Sequence, residues 1–413
     1  MLDIQFVREN KDRVIRAAKA KNVKVDIDAL LEADEHRRAL LAEIEQLRQQ
    51  RNALAASSQN TRPSDEQIAK GKVIKDQLNE KEKQLEPIEK SFSQLLSDIP
   101  NVIPEDTPLG EEANKPEKHW GEPRKDKVVD HQTWGEGRGL IDFERGAKVA
   151  GNKFYYLKGP LVKLELAVFE MGLDLAEKYG FVPITVPHMV NTRTVQGTGF
   201  LPRGEERQIY KIEGEDLNLI ATAEIPITGY HADEIIDEKN LPVLYAGLSP
   251  AYRMEAGAYG KHSKGLYRVH QFNKLELYVF CKPADSEEWH KKLIQLEEEL
   301  CQALEIPYEI VRIAAGDLGA PAYKKYDINY WSPVDQSYRE LMSCSNVTDY
   351  QARRLNVRYR DKSGSVNYLH SLNGTAAAFS RVCIALIENH QLPDGKLNVP
   401  LALRPYIGGK TNL

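Results

Sequence analysis

The sequence predicts an α+β protein: an antiparallel coiled-coil hairpin of two long helices, then a body in which an antiparallel sheet is flanked by helices. Three observations carry this prediction. Two heptad stripes near the start of the chain are separated by a short polar break. A Pro-dense segment follows them, and beyond it strand-like runs interleave with helical ones without a regular βαβ alternation. The chain divides accordingly into an arm-bearing domain, residues 1–108, and a body, residues 109–413.

The first stripe lies between Asp26 and about Ala56, a stretch rich in Leu, Ala, Glu, Arg and Gln that lacks Gly and Pro. Leu40, Ile44, Leu47 and Leu54 fall on alternating four- and three-residue steps, with Arg51 in one seam position. After the break, Ser64 and Gln67 make a capping box behind Pro63. The second stripe reads Ile74, Leu78, Lys81, Leu85, Ile88, Phe92, Leu95, Ile99, interrupted only by Lys81. Two helices of ~30–35 residues at ~1.5 Å per residue make a hairpin ~45–50 Å long. Pro87 inside the second stripe predicts a kink or a lost backbone hydrogen bond. On its residues alone such an arm serves equally as a spacer or a dimerisation element. Its charges are nearly balanced, and its Arg and Lys side chains suit either phosphate contacts or i, i+4 pairing with Glu.

The arm ends at S-D-I-P-N-V-I-P-E-D-T-P-L-G, whose prolines fix the exit direction. In the body, Pro160–Tyr179 has helical periodicity through Leu161, Leu164, Ala167, Val168, Met171 and Leu175. G-F-V-P-I-T-V-P then reads as a strand closed by Pro187. Ser286–Leu304 predicts an amphipathic helix, Tyr308–Ile313 a strand, and Thr375–Glu388 a mostly apolar helix.

The most telling stretch is Pro250–Phe280. Two strand-like runs, about Leu244–Glu255 and Leu266–Phe280, flank a Gly- and Lys-rich loop too polar for a core. Arg253 and Glu255 have the i, i+2 spacing that puts both on one face of a strand, and Glu276 suits the same sheet. A guanidinium and two carboxylates beside a basic loop can hold a phosphate chain and an amine together. The same Arg and Glu read equally well as a cross-strand ion pair on a solvated face. Thr222 and Glu224, just before Pro226, suit a turn or cap, and Asn373 or Thr375 a cap for the last helix. His262 and Lys264 belong to the polar loop. Arg381 lies on an otherwise apolar helix, where a guanidinium without a partner is costly.

Composition narrows the class. With 413 residues, 41% hydrophobic and 28% charged, the chain supports a full-sized core, and its net charge of -5 excludes a global nucleic-acid-binding field. Cys281, Cys301, Cys344 and Cys383 are far apart and form no C-x-x-C pair, which fits core residues in a reducing cytoplasm. The start has no signal pattern, and no apolar run approaches the ~20 residues of a membrane helix. A cytoplasmic protein with no membrane partner is expected.

Taken in order, these segments resemble the three motifs of class II aminoacyl-tRNA synthetases. T-A-E at Thr222–Glu224, Y-R-M-E-A-G at Tyr252–Gly257, H-Q-F-N-K-L-E at His270–Glu276 and R-E-L-M-S-C-S-N at Arg339–Asn346 are similar to the seryl-tRNA synthetase family in its bacterial form. So are Q-A-R-R at Gln351–Arg354, L-R-P-Y at Leu403–Tyr406 and the N-terminal hairpin. The resemblance spans almost the whole chain. It implies a six- to seven-stranded antiparallel catalytic sheet, a homodimer formed partly through the first motif, and an arm that grips tRNA(Ser). It implies ATP-dependent ligation of L-serine to tRNA(Ser) through seryl-adenylate, and serylation of tRNA(Sec) where one exists.

The resemblance also implies roles. Arg253, Arg381 and Glu340 would be catalytic: Arg253 on the ATP α-phosphate and the serine carboxylate, Arg381 on the γ-phosphate, and Glu340 with Ser343 on Mg2+. Thr222, Ala223, Glu224, Arg253, Glu276, Asn373 and Thr375 would bind serine. Met254, Glu255, Val269, Phe272, Leu341, Met342 and Ser343 would join Arg253, Glu340 and Arg381 around ATP. Met254, the loop after it, and A-A-A-F-S-R before Arg381 depart from the family pattern, as does Thr375 where a serine is usual. These departures leave room for a specialised paralogue or a ligase-derived protein that charges no tRNA. The intact hairpin and both arginines speak for the ligase.

Overall fold

The computed structural model describes residues 1–57, 64–110, 113–200, 208–255 and 264–413, so Pro63 and His262 lie outside the described residues. The chain forms two compact units, Met1–Val102 and Ile103–Leu413. No described helix is long and apolar enough to cross a membrane.

In the first unit two short helices precede α1 (Ile27–Ala56) and α2 (Asp65–Asp98). Both begin where their caps dictate. The Asp26 carboxylate accepts from Ala29 N–H at 2.9 Å, and Ser64 and Gln67 form the reciprocal capping box. Pro87 lies inside α2, which continues to Asp98. Pairs Arg37–Glu89, Glu43–Lys81 and Arg48–Glu82 cross from one helix to the other, the earliest residue of α1 meeting the latest of α2, as in an antiparallel hairpin. Lys81, the polar interruption of the stripe, thus packs its stem in the seam and places its ammonium 2.6 Å from Glu43.

The second unit is built on β1 (Lys115–Trp120), α3 (Pro160–Lys178), β2 (Val182–Thr185), α4 (Glu224–Tyr230), β3 (Val243–Tyr252) and β4 (Gln271–Cys281). It continues with α5 (Ser286–Ala303), β5 (Tyr308–Arg312), β6 (Lys324–Ser332), β7 (Ser337–Thr348), α6 (Tyr350–Leu355), β8 (His370–Ala378) and α7 (Phe379–His390). Among the described residues the main sheet has eight strands in the order β1-β5-β6-β7-β8-β4-β3-β2. All neighbours are antiparallel except β2 and β3, which run parallel. The sheet is therefore wider than the six to seven strands expected, because β1 pairs onto β5 at one edge and β2 enters the other edge parallel.

Strand β4 shows why the sheet is covered on both faces. Leu275, Leu277 and Val279 join α3, α5 and α7 in one core, while Tyr278 and Phe280 join α4 and α6 in another. Glu276 and Lys274 share the parity of Tyr278, so they point toward the α4 side.

Two local expectations are corrected. Thr375 to Ala378 is the end of β8, and the last helix begins at Phe379. Pairing of β8 to β4 overrides the helical preference of the Ala run, so neither Asn373 nor Thr375 caps that helix. Likewise β3 ends at Tyr252, and Glu255 takes a left-handed conformation with φ of 48°. Arg253 and Glu255 therefore do not share a strand face.

Candidate active site

The strand ends and the first turn of α7 surround a cleft lined by Arg253, Glu255, Tyr267, Val269, Phe272, Lys274, Glu340, Leu341, Met342, Ser343, Thr375, Ala378, Ser380 and Arg381. Every residue assigned to ATP from the sequence lines it except Met254, whose backbone N–H donates to the Gln208 carbonyl at 2.9 Å. Glu340 and Ser343, three apart, should face opposite sides of a regular strand. The register of β7 on β6 shifts at Leu341, since Glu340 pairs with Asn329 and Met342 with Ile328. This bulge brings both into the cleft.

Two guanidiniums meet there. Arg381 Nη1 lies 2.9 Å from Glu340 Oε1, and its guanidinium sits 5.0 Å from the Tyr267 ring centre. Burial pulls Arg381 down, yet the Glu340 carboxylate beside it prevails and holds it above its ordinary value. Glu340 is driven the other way: Arg381 and Lys325 overcome the cost of burial and hold its carboxyl well below the usual range. Arg253 donates from Nε to the Ala221 carbonyl at 3.3 Å and lies 5.2 Å from the Phe272 ring centre. Burial and the like charge of Arg381 lower its pKa. Two cations pressed together in a half-buried cleft are a site for a polyanion. Glu255 is held by Arg268 at 3.2 Å on the rim.

Thr222, Ala223, Glu224, Glu276 and Asn373 are buried and reach the cleft through Lys274, Arg253 and Thr375. The Lys274 ammonium contacts the Glu276 carboxylate directly and lies 3.4 Å from Thr222 Oγ1. Thr375 pairs with Glu276 across β8 and β4. Glu224 Oε1 accepts from Gln351 Nε2 at 2.7 Å and from Asn373 Nδ2 at 3.0 Å. Burial pushes the Glu224 carboxyl up to about 7, with the Glu276 charge adding to it. Burial raises Glu276 as well, against the pull of Lys274. Two buried carboxylates with one ammonium between them leave room for a second cation.

Sequence reasoning passed over Lys274, Tyr267, Ser380 and Gln351. Lys274 alternates with Glu276 at the head of the mostly apolar run Leu275–Cys281, which was a usable signal. Gln351 fell within the Q-A-R-R stretch, but its contact with Glu224 depends on where α6 lands. Among the described residues no group of three or more His, Cys, Asp or Glu side chains forms a metal cage. Glu340 and Ser343 offer two hard oxygen donors at the cleft, a set that suits an ion keeping its waters and sharing phosphate ligands.

Comparison with known proteins gives a consistent picture. Residues 1–103 match the model of the seryl-tRNA synthetase N-terminal domain, and residues 209–390 match that of the class II tRNA synthetase core domain (G, H, P, S and T). A serine--tRNA ligase of Dictyoglomus turgidum is 44% identical over 417 residues, covering 99% of this chain and 98% of the relative. One from Treponema pallidum is 46% identical over 417 residues, with the same coverage. Among solved structures, seryl-tRNA synthetase from Pyrococcus horikoshii complexed with ATP superposes with a TM-score of 0.90 at 39% identity, covering 100% of this chain and 99% of that one. The cytoplasmic serine-tRNA ligase of Naegleria fowleri in complex with AMP gives 0.87 at 33%, covering 100% and 98%.

Proposed function

This chain belongs to the seryl-tRNA synthetase family of class II enzymes, and on that premise we propose that its cleft joins L-serine to tRNA(Ser) through seryl-adenylate formed from ATP. The observation that carries the reading is the convergence of Arg253 and Arg381 on one cleft beside the buried Glu224–Glu276 cluster.

In-line attack of a carboxylate on a polyanion needs alignment and charge neutralisation more than a protein nucleophile. Arg253 holds the serine carboxylate against the α-phosphate, and Arg381 holds the γ-phosphate. Phe272, Val269, Glu255, Leu341 and Met342 surround the adenosine. Glu340 and Ser343 would hold Mg2+, which when bound would offset charge on the phosphate oxygens. Glu224 and Glu276 take the serine ammonium. Thr222, Asn373 and Thr375 face its hydroxyl, with Ala223 keeping that turn small. Arg253 is the group shared by both substrates.

Residues 1–108 carry the tRNA-binding arm and residues 109–413 the chemistry; tRNA(Sec), where present, is a second acceptor. The exposed apolar residues Val162 and Leu166 on α3, with Val182 on β2, support a homodimer through this face. Four free, buried cysteines suit a cytoplasmic enzyme.

Amino-acid-dependent ATP–pyrophosphate exchange tests the reading. Serine should support exchange. Alanine should fall short by about 10⁴-fold, because it leaves buried polar groups unpaired, and threonine by only about 10–200-fold. No exchange with serine and Mg-ATP would overturn the proposal.

A further inference from the structure

A chain of buried polar groups, none of them part of the cleft lining, ends on the backbone beside Tyr267. Ser332 Oγ, at the end of β6, donates to Glu388 Oε2 at 2.9 Å. The other carboxylate oxygen, Glu388 Oε1, lies 3.0 Å from His131 Nδ1, and His131 Nε2 lies 3.2 Å from the Leu266 backbone nitrogen. A backbone amide only donates, so Nε2 is the acceptor and the imidazole proton sits on Nδ1, donated to Glu388. Ser332, Glu388, His131 and Leu266 are exposed by only 0%, 3%, 7% and 0%. The fit leaves no slack: a Cβ on Gly265, whose φ is +63°, would fall 2.2 Å from His131 Nε2. Polar groups buried this deeply are costly unless paired, and each link here is paired.

One residue beyond Leu266, the Tyr267 ring carries two guanidiniums, Arg381 at 5.0 Å and Arg339 at 5.4 Å from its centre. Its hydroxyl reaches the Glu340 carbonyl at 3.5 Å. Arg339 is held in turn by Asp335, whose backbone N–H donates to Ser332 Oγ at 3.3 Å. Ser332 thus supports the ring from both sides. Arg381 has Glu340 on one flank and the like charge of Arg253 on the other. An aromatic face is what keeps its guanidinium aimed into the cleft before any phosphate arrives.

We propose that the buried chain Ser332–Glu388–His131 seats Tyr267 against Arg381 and Arg339, making His131 and Tyr267 positioning residues for the triphosphate. The proposal rests on the reading of the cleft as an ATP site. Four variants test it through the KM values for ATP and serine in pyrophosphate exchange, with urea unfolding alongside. In H131N the amide still reaches Glu388 but falls short of Leu266, whereas H131Q keeps an acceptor for that N–H. Y267F keeps the ring and Y267L removes it. Y267L and H131N are expected to raise the ATP KM about tenfold, with serine KM within about twofold, while Y267F and H131Q stay close to the parent. The proposal is overturned if Y267L leaves the ATP KM unchanged, if both KM values rise together, or if H131Q loses ATP affinity as H131N does. Should the His131 variants not fold, the Tyr267 pair decides. A parent protein with no serine-dependent exchange would remove the ATP-site reading instead.

Discussion

Glu224 is 6% exposed, and burial with the nearby Glu276 charge pushes its carboxyl up to about 7, against the pull of Gln351, Lys274 and Arg253. In an unfolded chain the same group titrates near ~4.3. A folded value raised above the unfolded one favours folding while the group is protonated. That contribution is fully present below about 4.3 and is lost as pH rises through about 7. On the proposed assignment a serine ammonium would reverse the balance, because it would bind the charged carboxylate. The serine KM in pyrophosphate exchange should therefore climb as pH falls from 8 to 6, approaching about tenfold per unit on the acid side. E224Q should give a high and nearly flat serine KM over the same range. In the ligand-free protein, the unfolding midpoint should fall more steeply between pH 5 and 8 for the parent than for E224Q. A parent serine KM that stays flat would remove Glu224 as the ammonium partner.

The element that holds this carboxylate is the packing of α4 on β3. Gly247 faces it, and a Cβ there would fall 2.6 Å from Ile227 Cδ1 and 2.9 Å from Ala223 Cβ. Ile227 can rotate, but the Ala223 methyl moves only with the backbone of Thr222–Glu224. G247A is expected to cost about 1–3 kcal/mol in urea unfolding and to raise the serine KM more than the ATP KM. Equal rises would show that the strain spreads across the sheet and not into that turn. None of this was legible in the sequence, where Gly247 reads as one small residue in a strand. What was legible is local: the hairpin stripes, the Ser64–Gln67 box and the helix from Pro160 follow from spacing and cap chemistry alone. The start of α7 was misplaced because Ala376, Ala377 and Ala378 prefer helix in isolation, and only pairing with β4 holds them extended. The bulge at Leu341, which turns Glu340 and Ser343 into one cleft, has no signature of its own. Motif order found the residue types; the geometry that joins them is tertiary.

At the scale of the whole molecule, the two units carry separate apolar cores. Leu30, Ile44, Leu78, Phe92 and Leu96 are buried in the first, while the β4-centred clusters serve the second. The groups proposed for adenylation, from Thr222 to Arg381, all belong to the second unit. Removing about residues 26–100 should therefore leave seryl-adenylate chemistry intact, because no side chain named in that chemistry is lost. It should abolish tRNA charging, because the arm is the element proposed to supply the extended surface on which the tRNA is held. The chain's overall charge of -5 gives no general attraction to replace it. Pyrophosphate exchange and aminoacylation, measured on the same preparation, separate the two. Exchange near the parent rate with charging reduced at least ~100-fold is the expected pair. Exchange and charging lost to the same degree, in a protein that still unfolds cooperatively, would count against the arm as the tRNA-binding element.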